Sequence, residues 1–160
     1  MRAVVQRVSR AAVSVGGEVA GSIGPGLLAF VGIRRGDDEA AGRWLCEKLL
    51  RLRVFEDGEG RMNRTVAEAG GAILIVSQFT LYGDTRRGNR PGFEEAAPPE
   101  EAGPLYDRIV AYLRESSPVP VASGRFRARM AVELVNDGPV TILLERPAPN
   151  DVDGPAARRV

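Results

Sequence analysis

The residues best suited to chemistry form one short segment, where an apolar run ends in side chains that make hydrogen bonds. Ile75 and Val76 lead into Ser77-Gln78-Phe79-Thr80. In a strand, alternate side chains share a face, so Ser77 and Phe79 would point to one side and their neighbours to the other. If the strand ends near Phe79, its last side chains and backbone N–H groups become free to bind a ligand. The alternative is structural, because Ser and Thr hydroxyls also satisfy neighbouring backbone groups.

The sequence contains no histidine and a single cysteine, Cys46. This composition excludes Ser-His-Asp and Cys-His catalysis, and it excludes zinc sites built from His or Cys. For Cys46 we predict a buried, inert thiol. No close spacing of Asp and Glu indicates a magnesium site. We therefore expect no metal and no cofactor, and an enzyme would have to use hydroxyls, carboxylates, amides, backbone groups or its own substrate.

Arginine supplies every basic side chain except Lys48, and two clusters of it stand out. The net charge of +1 does not by itself require a nucleic-acid partner. Arginine suits bidentate contact with phosphate, and an RNA backbone would supply such anions. Solvated surface loops and genomic base composition are the alternatives. The second cluster would share one face if its segment is a strand. The clusters consist of Arg86, Arg87 and Arg90, and of Arg125, Arg127 and Arg129.

The pattern around these residues predicts one α+β domain over residues 1–146, with residues 147–160 as a flexible tail. Two helices are expected, one capped by Asp37 or Asp38 and one that begins at Pro104. Residues 82–103 are expected to form a loop of roughly twenty residues. Mostly hairpin-like connections favour a largely antiparallel sheet that curls toward a β-barrel, with the two helices packed on it. The predicted strands fall within residues 2–15, 18–22, 27–33, 72–79, 129–136 and 140–145.

The hydrophobic pattern also bears on where the protein works. No apolar run approaches the ~18 residues that a membrane helix needs. The first fifteen residues are interrupted by arginines and serines, so they lack the apolar core of a signal peptide. We therefore expect a cytoplasmic protein that has no membrane partner.

Two motifs, SQFTLYGDTRRGNRPGFEEAAPP and NDGPVT, together resemble the signatures of the D-aminoacyl-tRNA deacylases. The resemblance covers roughly residues 1–146. It implies a homodimer that hydrolyses the ester between a D-amino acid and the 3′-terminal adenosine of tRNA, with no DNA partner. It also implies that Ser77, Gln78, Phe79 and Thr80 line the pocket for the adenosine and the aminoacyl group. Gly138-Pro139 would be a Gly-cisPro dipeptide that enters the pocket of the partner subunit.

The resemblance leaves the catalytic group open. Thr80 could act as a nucleophile, but no His or Lys lies nearby in sequence to activate it. Alternatively, the backbone N–H groups of Phe79 and Thr80 would form an oxyanion hole while the substrate 2′-OH assists water. Inverting the chiral centre would drive an L side chain into protein, whereas glycyl esters would escape rejection. The alternative function is a non-catalytic tRNA-binding or editing-like module of the same fold. Arg127 and Arg129 stand where the family commonly has Gly and an acidic residue.

Overall fold

The computed structural model describes residues 1–147, which form two helices and eight strands. The predicted tail therefore lies, except for residue 147, outside the described residues. The helices are α1 (Glu39–Arg51) and α2 (Pro99–Ser116), and a 3₁₀ turn spans Phe79–Tyr82. The strands are β1 (Arg2–Val15), β2 (Glu18–Ile23), β3 (Gly26–Gly32), β4 (Phe55–Glu56), β5 (Met62–Arg64), β6 (Ala72–Ser77), β7 (Val121–Ser123) and β8 (Met130–Glu145).

The main sheet is mixed, and it nearly closes into a barrel. Its order is β2-β1-β3-β6-β7. The long strand β1 pairs with β3 through residues 2–8 and with β2 through residues 11–15, and β8 pairs along the other edge of β1. The three pairings of β1 are antiparallel, whereas β6 pairs in parallel with β3 and β7. The end strands β2 and β7 approach each other closely, and Gly21 of β2 permits this approach because it has no side chain. A Cβ there would lie 2.8 Å from the carbonyl oxygen of Ser123 in β7. The predicted fold class, with its two packed helices, is confirmed.

Apolar residues fill both faces of this sheet. Inside the curl, Val8, Val13, Leu28, Leu74 and Val76 form a small core. The larger core lies outside the curl, where the helices cover the other face of β1, β3 and β6. Neither helix in residues 1–147 combines the length and hydrophobicity that crossing a bilayer requires.

The first helix follows its predicted pattern. Asp38 is the N-cap, and its side chain accepts a hydrogen bond from the Ala41 amide at 2.8 Å. Leu45, Cys46 and Leu49 are fully buried on the apolar face, and the half-buried Trp44 packs against the same core. Burial raises the pKa of the Cys46 thiol to about 12, which agrees with the predicted inert thiol.

Three predicted boundaries are wrong. Helix α2 begins at Pro99, not at Pro104, because the Pro98-Pro99 pair offers the earlier first-turn proline and Pro104 is accommodated inside the helix. The predicted loop over residues 82–103 is accordingly shorter, and mutual hydrogen bonds between Asp84 and Gly92 at 2.8 Å tie it together. The strands predicted at 129–136 and 140–145 form one continuous strand, β8, because both halves pair with the long strand β1.

Candidate active site at the end of strand β6

The segment that carries Ser77 is positioned by the central strand of the fold. Strand β6 lies between β3 and β7, and its residues Ile73 to Val76 are buried. The Tyr106 hydroxyl of α2 donates a 3.0 Å hydrogen bond to the Ile75 carbonyl, which links the strand to this helix. The strand ends at Ser77, and the Gln78 amide donates to the Val31 carbonyl at 2.7 Å before the chain enters the 3₁₀ turn. The polar segment therefore begins where the buried strand stops.

A cavity of about 600 Å³ opens at this strand end. That volume suits a small organic ligand or the end of a larger one. Its walls come from the ends of β3 and β6, from the segment that leads into α2, and from the turn before β8. The lining residues are Val31, Ile33, Arg35, Val76, Ser77, Gln78, Phe79, Phe93, Ala96, Ala97, Pro98, Pro99, Ala102, Phe126, Arg127, Ala128, Met130 and Val132.

Two phenylalanines form an aromatic wall of this cavity. The rings of Phe79 and Phe93 meet edge to face, with centroids 5.1 Å apart and an interplanar angle of 62°. Phe79 remains 57% exposed although it lines the cavity. Exposed aromatic faces provide stacking surfaces for nucleobases. Arg35 stands on the same wall, where its Nε donates to the Glu94 carbonyl at 3.0 Å. The wall can therefore hold a planar base beside a fixed positive charge.

The 3₁₀ turn leaves backbone donors available at the cavity rim. Within residues 1–147, the amides of Leu81 and Gly83 donate to the carbonyls of Gln78 and Thr80, whereas the amides of Phe79 and Thr80 donate to no group. The first N–H groups of any helical turn lack partners inside it. Two adjacent unpaired N–H groups can stabilise an oxyanion, as the second sequence-based hypothesis requires.

Thr80 itself lies beside the cavity and not among its lining residues. The side chain is exposed, and its hydroxyl accepts a hydrogen bond from the side-chain Nε2 of Gln78. Within the described part of the chain, the Thr80 hydroxyl contacts no group that could act as a general base. A hydroxyl without a base is a weak nucleophile. The nucleophile hypothesis therefore gains no support from this geometry.

The second motif forms an outward bulge of strand β8. Asn136 pairs with Val8 and Thr141 pairs with Gln6, so the four residues Asp137–Val140 stand opposite Arg7 alone. We name Asp137–Val140 the Gly-Pro loop. Its Gly138-Pro139 peptide bond is cis, and both residues are exposed. Neither residue is among those that line the cavity of its own chain, so a single chain does not bring the two motifs together.

Arg7 holds the base of the Gly-Pro loop. Its side chain is only 6% exposed, and its Nε donates to the Asp137 carbonyl at 3.1 Å. One terminal nitrogen donates to the Val54 carbonyl at 2.6 Å, and the guanidinium pairs with the carboxylates of Asp137 and Glu56 at 3.3 and 3.8 Å. A buried arginine needs such partners to offset its desolvation. Arg7 thus joins β1, the β4–β5 hairpin and the Gly-Pro loop.

The sequence-based reasoning missed Arg7, although a signal for it exists. Ala3 and Val5 occupy alternate, buried positions of β1 that face the larger core, and Arg7 continues this buried series. A charge in a buried series is uncommon and indicates a buried partner. Phe93, Arg35 and Pro98 were missed as well. Phe93 and Pro98 lie within the first motif but were not assigned to the pocket, and Arg35 comes from a separate segment that the fold brings to the cavity.

The first arginine cluster lies on the exposed loop after the 3₁₀ turn. Arg86 is bound to Asp84 through both guanidinium and amide contacts at 2.8–3.0 Å, and this hydrogen bonding lowers the pKa of Asp84 to about 2. Arg87 and Arg90 are exposed and make no ion pair within residues 1–147.

The second cluster is not a strand. Residues 125–128 form a turn, closed by a 3.2 Å hydrogen bond from the Ala128 amide to the Arg125 carbonyl. The positive φ of 62° at Arg127 is incompatible with a regular strand here. Within residues 1–147, no three His, Cys, Asp or Glu side chains cluster in a way that could hold a metal ion.

Comparisons with known proteins agree with this fold. The family model described as D-Tyr-tRNA(Tyr) deacylase matches residues 4–145. A D-aminoacyl-tRNA deacylase of Symbiobacterium thermophilum is 64% identical over 145 residues, 91% of this chain and 95% of that protein. Another, from Chlorobaculum parvum, is 60% identical over 147 residues, 92% of this chain and 99% of that protein.

Two solved structures extend the comparison. One, titled c-Myc DNA Unwinding Element Binding Protein, superposes with a TM-score of 0.87 at 43% identity over 92% of this chain and 100% of that chain. The other, titled as a probable eukaryotic D-amino acid tRNA deacylase, has a TM-score of 0.75 at 21% identity over 89% of this chain and 97% of that chain, and shows likeness of fold. Together the matches define the class as hydrolases that act on aminoacyl-tRNA. The chain belongs to the D-Tyr-tRNA(Tyr) deacylase family.

Proposed function

We propose that the chain removes D-amino acids from tRNA, with the terminal adenosine and the aminoacyl group held in the cavity at the end of β6. The observation that carries this proposal is the placement of two unpaired backbone N–H groups, at Phe79 and Thr80, beside a cavity with an aromatic wall. Such a cavity suits a base linked to a reactive ester better than it suits a purely structural role. Charged tRNA is used in the cytoplasm, where we expect the protein to act.

The proposed chemistry needs no acidic or basic side chain. Water attacks the ester carbonyl, and the Phe79 and Thr80 amides stabilise the oxyanion of the tetrahedral intermediate. The ribose 2′-OH of the substrate assists the attacking water. The bond to the ribose 3′ oxygen then breaks, which releases the free amino acid and tRNA. Ser77 and Gln78 line the cavity and are proposed to orient the substrate.

The proposed chiral filter requires a second copy of the chain. The Gly-Pro loop is not among the residues that line the cavity of its own chain, which supports a role in the cavity of a partner. In that homodimer, Gly138 and Pro139 of the partner subunit would meet the substrate Cα with main-chain atoms. A thousandfold preference for D esters needs roughly 4 kcal/mol, which a fixed main-chain obstacle can supply by excluding the L side chain. Glycyl esters have no side chain to exclude and would also be hydrolysed.

The experiment is a matched pair of hydrolysis assays with D-tyrosyl-tRNA and L-tyrosyl-tRNA, with no added metal. We expect the D ester to be lost and the L ester to be spared. Equal loss of both esters would contradict the chiral filter. If the chain binds tRNA and cleaves neither ester, the proposal fails in favour of a non-catalytic tRNA-binding or editing-like module. Light scattering of the same sample measures its mass, and a stable monomer would contradict the cross-subunit role of the Gly-Pro loop.

A further inference from the structure

A second cavity lies beside the first and shares one of its walls. Its volume is about 350 Å³, and the half-buried Phe126 contributes to both cavities. The Phe126 ring packs on Tyr106, with centroids 5.8 Å apart, so the partition between the cavities is anchored on α2. The second cavity is thus the direct continuation of the first across one aromatic side chain.

Basic side chains frame this continuation. Arg125 and Arg114 line the second cavity, and an Arg114 terminal nitrogen donates to the Ser123 hydroxyl at 3.1 Å. Arg127 lines the first cavity on the other side of Phe126. Asp107 is the one carboxylate among the residues that line the second cavity. The turn between the cavities therefore presents guanidinium groups to both.

The other side of the first cavity carries charges of both signs. Arg35 lines the cavity there, whereas the nearby carboxylates of Glu94, Glu95, Glu100 and Glu101 are not among the lining residues, and Glu95 pairs with Arg34 at 3.5 Å. A polyanion that leaves the first cavity would therefore meet a more uniformly positive surface across residues 125–127 than on that side. The charges thus favour the exit across residues 125–127 for a phosphodiester chain.

The backbone of Arg127 provides an independent observation. This residue occupies the third position of the turn Arg125–Ala128 with a φ of 62°, the only non-glycine residue with positive φ in residues 1–147. Glycine is favoured at such a position, and an arginine there is strained by ~1 kcal/mol or more. Strained residues cluster where they serve binding or catalysis. The strain at Arg127 therefore has a functional explanation if its charge binds the substrate.

We propose that residues 125–127 and Arg114 form a subsite for the phosphates that precede the terminal adenosine of a single-stranded RNA end. This inference rests on the proposed function and names a second part of the same substrate. The terminal adenosine occupies the first cavity, the strand crosses Phe126, and the guanidinium groups of Arg114, Arg125 and Arg127 bind successive phosphates. The second cavity accommodates the preceding nucleotide.

The test compares two D-tyrosyl esters, one on full-length tRNA and one on free adenosine, which has no phosphates. For the double variant Arg114→Ala/Arg125→Ala, the ratio of kcat/KM for the tRNA ester to that for the adenosine ester should fall roughly tenfold. The slope of log KM against log salt for the tRNA ester should become shallower by roughly 0.7 for each lost phosphate contact. Arg43→Ala removes an exposed arginine of α1 and should leave the ratio unchanged.

Arg127→Gly separates binding from folding. Glycine relieves the positive φ, so this variant should unfold at the same or a higher urea concentration, while its KM for D-tyrosyl-tRNA rises severalfold. An unchanged ratio in the double variant, or an equal loss on both esters, would overturn the phosphate subsite while leaving the proposed function intact. If the wild-type chain cleaves neither ester, the proposed function itself fails, and this inference fails with it.

Discussion

Ser77–Phe79 and the Gly-Pro loop are the two halves of the proposed pocket, and they are supported in opposite ways. The first segment continues a central strand whose residues are buried on both faces. The Gly-Pro loop is an exposed bulge on a strand whose second edge has no strand partner within residues 1–147. Two side chains hold it: Arg7, and Asn136, whose Nδ2 donates to the Val140 carbonyl at 3.0 Å and to the Arg7 carbonyl at 3.2 Å.

This difference separates the two kinds of damage that substitutions can cause. Around Ser77 the hydrophobic core fixes the backbone, so a change at the rim should alter binding and leave folding intact. At the Gly-Pro loop the geometry depends on the buried charge of Arg7, on the hydrogen bonds of Asn136 and on one glycine conformation. A change there should therefore affect stability and activity together. The following substitutions test this contrast, from the largest expected effect to the smallest.

Arg7→Ala should have the largest effect. It removes the donors to the Asp137 and Val54 carbonyls and leaves a void in a site that is 6% exposed. We expect the free energy of unfolding to fall by ~2–4 kcal/mol and hydrolysis of D-tyrosyl-tRNA by ~100-fold or more, because the loop loses its attachment to the buried guanidinium. Urea denaturation and initial rates measure the two effects. Arg10→Ala, an exposed arginine on the same strand, is the control and should change neither. Wild-type activity in a folded Arg7→Ala protein would refute the supporting role.

Gly138→Ala should have the next largest effect. Gly138 has a φ of 124°, and a Cβ there would lie 2.7 Å from a terminal nitrogen of Arg7 and 2.9 Å from a methyl of Val140. The strain should cost ~1–3 kcal/mol of stability, and displacement of the loop should lower kcat/KM by ~10–100-fold. Thermal unfolding and hydrolysis rates measure these effects. Gly24→Ala, where an added Cβ meets nothing within 4 Å, is the matched control. Equal behaviour of the two variants would contradict the prediction.

Phe79→Ala should damage the other half of the pocket without unfolding it. Phe79 is 57% exposed, so its loss should change stability by less than ~0.5 kcal/mol. Loss of base stacking should raise KM by roughly 5–100-fold, the equivalent of ~1–3 kcal/mol. Steady-state kinetics and urea denaturation separate these quantities. Val19→Ala, at an apolar side chain that is 65% exposed and outside the cavity, should affect neither. A large loss of stability in Phe79→Ala would remove the contrast between the two halves.

Thr80→Ala should have the smallest effect. Its hydroxyl is exposed and contacts Gln78, not a base, whereas the backbone amide that would bind the oxyanion remains in the variant. We expect single-turnover hydrolysis of D-tyrosyl-tRNA within about threefold of wild type, since no covalent step uses this hydroxyl. Thr85→Ala, an exposed threonine of the neighbouring loop, provides the reference. A loss of ~10³-fold or more would restore Thr80 as the nucleophile.

Local signals in the sequence predicted much of this fold, and nonlocal contacts account for most of the errors. Alternating or continuous apolar residues identified β1, β3 and β6, and Asp38 was one of two predicted caps for α1. The parallel pairing of β3 with β6 depends on residues more than forty positions apart. Pro99 and Pro104 both suit the first turn of a helix, so local signals did not decide where α2 begins. The continuity of β8 arises from its partner strand and is not encoded in its own residues.

Local signals also located one part of the candidate site. Residues 77–79 line a cavity, because they end a strand whose burial the apolar pattern made evident, but their contact with substrate stays a prediction. The roles assigned to Thr80 and to Gly138-Pro139 stay predictions. Arg7 could not be assigned from spacing alone, since its partners Val54 and Asp137 lie 47 and 130 residues away. The turn over residues 125–128 depends on an arginine in a conformation that propensity disfavours.

Trp44, half-buried on α1 against the helical core, is the single tryptophan of the chain and lies outside the cavity. Its fluorescence therefore reports whether the helical layer remains docked on the sheet, and a ligand in the cavity should leave the emission nearly constant. A denaturant titration followed at this one chromophore can thus be run with and without substrate analogue present. The difference between the two midpoints, multiplied by the slope m, gives the stabilisation RT ln(1 + [L]/Kd), from which the Kd follows at a known analogue concentration without any label.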